Sequence, residues 1–226
     1  MRIDEILNIA ENQGIRREVR PYNLNTEMEL IKQIGQARKK DFAIDEDNKY
    51  LFENLIKWAN GDSFKCLNSQ SLSEIDGDVN GGIYIAGKTG TGKSWAMDIL
   101  TLYCYARNFL FKSGNDTKFL AFQNIRTDKI CEIYSESGMF TDFSEARIIC
   151  FNDLADEPME SMFMGNRERV MKRILSIRGD KSNLITLITS NVPLEAMGKY
   201  YDDRVLSRLR EGCNYFELKG RDRRSK

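Results

Sequence analysis

Gly81-Gly82-Ile83-Tyr84-Ile85-Ala86-Gly87-Lys88-Thr89-Gly90-Thr91-Gly92-Lys93-Ser94 is the stretch on which the fold turns. Ile83 to Ala86 is a short apolar run behind two glycines, the pattern of a central strand buried on both faces. From Gly87 to Ser94 the chain matches G-x4-G-K-[ST] in full. Glycines let such a loop fold tightly. Its backbone N–H groups then converge at the start of the following helix, where phosphate is favoured. Lys93 is placed to reach the β- and γ-phosphates of a nucleoside triphosphate, and the Ser94 hydroxyl to ligate Mg²⁺. A strand before the motif and helical spacing after it are the context this chemistry requires.

Outward from the loop, apolar strands alternate with helical spacing. Lys93 to about Phe111 reads as a helix, with Trp95, Ile99, Leu100, Leu102 and Tyr103 for a core face. Further strands are expected at Phe119–Phe122, Ile148–Phe151, Leu184–Ile188 and Tyr215–Leu218. Helices are expected at Thr127–Tyr134 and Arg167–Ile177, with two short ones after Pro193 and Asp203. This alternation predicts an α/β fold, a central five-stranded parallel sheet covered by helices on both faces. Upstream, Ile3, Ile6, Leu7 and Ile9 form a helical stripe that Gly14 ends. Leu30, Ile31 and Ile34 form a second stripe, preceded by Thr26 and closed by Gly35. A third starts at Asp45 or Asp47 and carries Tyr50, Leu51, Leu55, Ile56 and Trp58 as far as Gly61. From there to about Asn80 the composition is that of a loop.

The 226 residues suffice for one sizeable α/β core with a small appendage. There is no histidine, which excludes Ser-His and Cys-His nucleophiles, His-ligated metals and imidazole acid–base chemistry. Phosphoryl chemistry suits the residues that remain, because it needs positioning and charge stabilisation more than a protein nucleophile. The five cysteines, Cys66, Cys104, Cys131, Cys150 and Cys213, are widely spaced with no CxxC pair. That argues against a disulfide framework or a zinc site and for buried thiols in a reducing, cytoplasmic setting. No apolar run approaches a membrane span, and Arg2, Asp4 and Glu5 interrupt any secretory signal. Net charge is zero, but basic residues gather at Arg16, Arg17 and Arg20, at Arg38–Lys40, and from Lys219 to Lys226. Such ends suit either nucleic acid or plain solvation.

Three further segments carry chemistry. Ile148-Ile149-Cys150-Phe151-Asn152-Asp153 reads as a strand ending in polar groups that hold Mg²⁺ and polarise water. In this register Asn152 takes the metal-side position and Asp153 the water-activating one. Asn152 brings no negative charge. Alternatively Asp153 alone carries the metal contact, with Asp156 or Glu157 as helper. Leu187-Ile188-Thr189-Ser190-Asn191 ends a strand with Asn191, a candidate for the γ-phosphate or the attacking water, although Asn before Val-Pro is also ordinary turn chemistry. In Asp203-Arg204-Val205-Leu206-Ser207-Arg208, the arginines stand four apart and share a helix face. One of them, presented to a neighbouring subunit's γ-phosphate, would stabilise transition-state charge.

Taken in order, these segments resemble the AAA+ ATPases of the DnaC-type helicase loaders and the related IstB-type transposition ATPases. Asn152 to Pro158 (Asn-Asp-Leu-Ala-Asp-Glu-Pro) resembles that family's Asp-Asp-Leu-Gly-x-Glu-Pro. Thr189-Ser190-Asn191 matches its sensor-1 strand end, Arg204-Val-Leu-Ser-Arg208 its arginine-finger segment, and Tyr215 to Arg224 its closing strand and basic end. The resemblance covers about residues 42 to 224. It implies a P-loop NTPase domain over 42–226 preceded by a helical partner-binding segment over 1–41. It also implies ATP and Mg²⁺ as cofactors, self-association through composite ATP sites with Arg208 as the finger, a replicative helicase as partner, and contact with single-stranded DNA. The sequence departs from the family at Asn152, which predicts slow hydrolysis, in lacking a preceding cysteine-rich zinc module, and in the short stretch between Phe122 and Ala146, which leaves little room for an initiator's DNA-gripping helix. A transposase-accessory ATPase, a small-molecule kinase and a non-hydrolysing nucleotide-binding adaptor are the competing readings.

Overall fold

A computed structural model describes residues 15–17, 19–113 and 116–223. The expected helix over Ile3–Ile9, and Arg224 with Lys226 of the basic end, lie outside the described residues.

β4 (Gly82–Ala86) is buried along its whole length and forms the centre of a seven-stranded sheet. Parallel to it run β7 (Gln123–Arg126), β8 (Ile148–Asn152), β11 (Ile185–Ser190) and β12 (Cys213–Glu217), in the order β12-β4-β11-β8-β7. The parallel strands number five, as the sequence predicts, and four of them, β4, β8, β11 and β12, fall on the expected segments. Two short antiparallel strands, β2 (Lys65–Leu67) and β3 (Glu74–Asp76), extend the β12 edge from within a stretch that reads as loop.

Period-two alternation sorts each strand's side chains into two cores. Ile83, Ile85, Cys150, Leu187 and Phe216 join one cluster; Tyr84, Ala86, Ile149, Phe151, Ile188 and Tyr215 join the other. The first cluster is closed by α1 (Leu24–Arg38), α2 (Glu46–Ala59) and α3 (Lys93–Ala106), through Ile31, Leu55, Trp58, Met97, Leu100 and Tyr103. The second is closed by α4 (Thr127–Ser137), α6 (Val170–Gly179), a 3₁₀ turn (Leu194–Lys199) and α7 (Asp203–Gly212). A five-residue helix, α5 (Thr141–Glu145), lies between α4 and β8. Helices on both faces of a mainly parallel sheet make a three-layer α/β/α domain.

The caps explain where the helices begin. Asp45 caps α2 in a reciprocal box with Asn48, so the start falls at the position read from the sequence. Asn23, rather than Thr26, caps α1, and Gly35 lies inside that helix, where Phe42 fills the space beside it. The second parallel strand is Gln123–Arg126 and not Phe119–Phe122. Phe119 instead ends β6 (Asp116–Phe119), which pairs antiparallel with β5 (Leu110–Ser113), itself paired with β1 (Ile15–Arg16). α6 starts at Val170 because Arg167 belongs to a hairpin of β9 (Ser161–Phe163) and β10 (Asn166–Glu168).

Candidate nucleotide-binding site

Register aligns the strand ends. Ala86 pairs with Ser190 and Glu217, Phe151 with Ile188, and Asn152 with Arg126. Residues just past these ends therefore emerge along one edge, where open α/β sheets bind ligands. There Thr89 to Ala96, Arg126, Asp153, Asp156 and Asn191 line a cavity of about 560 Å³, together with Phe42, Leu51, Phe52 and Leu218 on an apolar side.

The loop between β4 and α3 has the glycine geometry its sequence demands. Gly90 (φ +84°) and Gly92 (φ +102°) occupy left-handed conformations that side chains avoid. Gly92 is also the N-cap of α3 and offers no side chain to the first-turn N–H groups, so they stay available to an anion. Thr91 is buried, and its hydroxyl donates to the Lys88 carbonyl at 2.9 Å. Lys93 is only 5% exposed. Its ammonium donates to the Gly87 carbonyl at 2.8 Å, the Lys88 carbonyl at 3.0 Å and Asn191 Oδ1 at 2.8 Å. Gly87 and Lys88 thus turn their carbonyls toward the lysine, while Thr89, Gly90, Thr91, Gly92 and Ser94 line the cavity.

β11 lies between β4 and β8, which puts Asn191 between the loop and the acidic turn. Asn191 Nδ2 donates to Asp156 Oδ2 at 3.0 Å. Asp153 (φ +58°) and Ala155 (φ +76°) are left-handed non-glycine residues that fold the chain over the strand ends. Thr127 Oγ1 donates to the Asp153 carbonyl at 3.0 Å, and the Asp153 N–H donates to Thr189 Oγ1 at 3.1 Å. Asn152 does not line the cavity. It is 7% exposed, and its oxygen accepts from Thr189 Oγ1 at 3.0 Å. Arg126 chelates Asp128, which holds the guanidinium above its ordinary pKa with smaller help from Asp153 and Asp156.

Arg204 and Arg208 stand elsewhere. Both reach the Asp180 carboxylate at the end of α6, at 2.9 and 3.2 Å, and Arg208 also meets Glu211 at 3.1 Å. Neither lines the cavity.

The tail after β12 closes the site. The Arg223 N–H donates to the Gly90 carbonyl at 2.9 Å, and its guanidinium is bidentate on Asp45 at 2.7 and 2.8 Å. Lys39 Nζ donates to the Arg223 carbonyl at 3.0 Å. The Arg223 contact holds the Asp45 carboxyl below the usual carboxylate range and raises the guanidinium in turn. Sequence reading did not bring Lys39, Asp45, Arg221 or Arg223 to this site. The Asp45–Arg223 pair is 178 residues apart and carries no local signal.

The donor set fits Mg²⁺ with a bound triphosphate. No group of three or more His, Cys, Asp or Glu gathers into a metal cage among the described residues. Mg²⁺ is commonly held by one or two carboxylates plus substrate phosphates, and Ser94, Asp153 and Asp156 on the cavity wall supply donors of that kind.

Fold and strand-end loop together have the P-loop architecture of the AAA+ type, with the cavity as a candidate nucleotide site. No family model matches the sequence, and no curated protein matches it. Solved structures do share its fold. The crystal structure of DnaI is similar with a TM-score of 0.54 at 15% identity, over 83% of this chain and 93% of that one. The DnaC helicase loader gives 0.53 at 14% identity, over 80% and 95%. AMPPCP-bound DnaA from Aquifex aeolicus gives 0.53 at 14% identity, covering 82% of this chain and 51% of that chain. The resemblance drawn from the motifs is therefore met at the level of the fold.

Proposed function

We propose that this chain is an ATP-binding, slowly hydrolysing Mg²⁺-dependent ATPase that loads or remodels a replicative helicase on single-stranded DNA in the cytoplasm. The observation that carries the nucleotide part is the meeting of Lys93, Ser94, Asp153 and Asn191 around a glycine loop at the strand ends. In this reading Gly87, Lys88, Thr89, Gly90, Thr91, Gly92 and Lys93 hold the phosphates. Ser94 and Asp153 serve Mg²⁺, which offsets phosphate charge when bound, and Asn191 faces the γ-phosphate. The apolar wall of Phe42, Leu51, Phe52 and Leu218 suits a base.

Arg208, with Arg204 beside it, acts on a neighbouring subunit's nucleotide, in keeping with its place outside its own cavity. A kinase lid would set such arginines over the chain's own phosphates, so this placement favours the assembly reading. Residues 1–41 serve as the partner-binding segment and 42–226 as the ATPase domain. The likeness of the fold to DnaI and to the DnaC helicase loader supports a helicase as the partner.

The test mixes the full chain with the source cell's replicative helicase, with and without ATP and Mg²⁺, and follows co-sedimentation and helicase transfer to single-stranded DNA. ATP-dependent association supports the proposal. Association with a transposase in its place would move the chain to the transposition role, and nucleotide-independent behaviour would remove the loader reading.

A further inference from the structure

The register expected from the sequence gives Asn152 the metal-side position, but its side chain is spent inside the sheet. Its oxygen accepts from Thr189 Oγ1 and from the Cys150 thiol, the latter at 3.8 Å. Past it, the left-handed Asp153 and Ala155 reverse the chain. Such conformations persist only where the surroundings hold them. Here the Leu154 N–H donates to the Thr189 carbonyl at 2.9 Å and Ser190 Oγ to the Leu154 carbonyl at 2.6 Å. Glu157 completes the brace: it accepts from the Ala155 N–H at 2.9 Å and from the Tyr201 hydroxyl. Burial and the Glu157 charge both raise the Tyr201 pKa, so that hydroxyl keeps its proton. Glu157 is therefore committed to the turn.

The reversal delivers Asp156 to the cavity wall beside Asp153. A hydrogen-bond path through Asn191 joins its carboxylate to the loop lysine: Asp156 Oδ2 accepts from Asn191 Nδ2, and Asn191 Oδ1 accepts from Lys93 Nζ. Resting on the nucleotide reading above, we propose that Asp156 is the second carboxylate of the Mg²⁺–triphosphate site, supplying the negative charge that Asn152 lacks. The acidic pair is then Asp153 and Asp156, three residues apart across a turn, rather than two consecutive residues at a strand end. Mg²⁺ keeps several waters when bound, and Asp153 and Asp156 on the same cavity wall as Ser94 would supply the negative charge that holds it.

The test titrates Mg²⁺ against binding of a fluorescent ATP analogue to the full chain, wild type, Asp156→Asn and Asp156→Ala. Asp156 is exposed, and Asn keeps an acceptor for Asn191 while removing the charge. The expected result is unchanged binding in excess EDTA and a Mg²⁺ midpoint raised about tenfold or more in both variants, the scale seen when a supporting metal-site group is lost. An unmoved midpoint in Asp156→Asn overturns the proposal. So does a shift in Asp156→Ala alone, since that would make Asp156 only a brace for Asn191. Neither result touches the nucleotide reading, which fails only if the wild-type chain does not bind the analogue at all.

Discussion

Lys93 illustrates how much one side chain carries. Its ammonium is nearly buried and donates to two loop carbonyls and one amide oxygen. A triphosphate offers that ammonium full negative charge, and a charge-assisted hydrogen bond contributes about 1.5–3 kcal/mol. Lys93→Ala should therefore weaken ATP binding by roughly 10- to 150-fold. Isothermal titration measures this directly, and unchanged affinity would remove the phosphate-loop assignment. At this scale the sequence was legible wherever the chemistry is local. The glycines, Lys93, Ser94 and Asn191 all stand where their motif placed them. Asn152 and Asp156 were less legible, because two residues of positive φ between them decide which side chain reaches the cavity. Nothing in Asn-Asp-Leu-Ala-Asp announces those conformations.

Elements were legible in proportion to their burial. β4, β8, β11 and β12 are apolar runs enclosed by two helical layers, and each was readable. β7 is an edge strand that opens with exposed Gln123 and half-buried Asn124, both polar, so hydropathy pointed instead to its neighbour Phe119–Phe122. β2 and β3 are short edge additions, β2 paired to β12 and β3 to β2, visible only once β12 is in place. Two contacts between elements give predictions. Arg178, at the end of α6, is 3% exposed and donates to the carbonyls of Phe143, Ala146 and Ile185 and to Thr186 Oγ1. Burial pulls its pKa down only to about 10, so it stays cationic at neutral pH. Arg178→Met leaves several buried acceptors without donors and should cost about 3 kcal/mol or more, read from urea denaturation. Asp45 joins the α2 cap to the tail through Arg223. Losing the cap in Asp45→Ala should cost about 1 kcal/mol. The folded-state pKa of Asp45 is depressed, so its stabilisation is whole above the ordinary carboxylate value near pH 4 and is lost as pH falls through the folded value. The gap in melting temperature between wild type and Asp45→Ala should narrow below about pH 4. A gap constant down to strongly acid pH would deny the carboxylate that role.

For the whole molecule, the decisive fact is where two groups are not. Arg204 and Arg208 lie on Asp180, on the helical layer formed by α6 and α7, and the cavity opens at the strand ends without either of them. A chain that uses Arg208 on a triphosphate must therefore lend it to another copy, in a head-to-tail contact of the kind that closes into a ring or runs on as a filament. That geometry has a consequence a self-sufficient site cannot reproduce. In such an assembly Lys93→Ala would remove the loop side of the shared site and leave Arg208, whereas Arg208→Ala would do the reverse. Each variant alone should turn over ATP poorly. In an equal mixture, a site is whole when an Arg208→Ala subunit supplies the loop and a Lys93→Ala subunit supplies the finger. With random order in a closed assembly that holds for about a quarter of the sites. Steady-state ATPase of the mixture, measured where sedimentation shows assembly, should thus recover to roughly a quarter of the wild-type rate. Recovery absent from a mixture shown to co-assemble would place the working arginine in the chain's own cavity, where Arg126, Arg221 and Arg223 already stand.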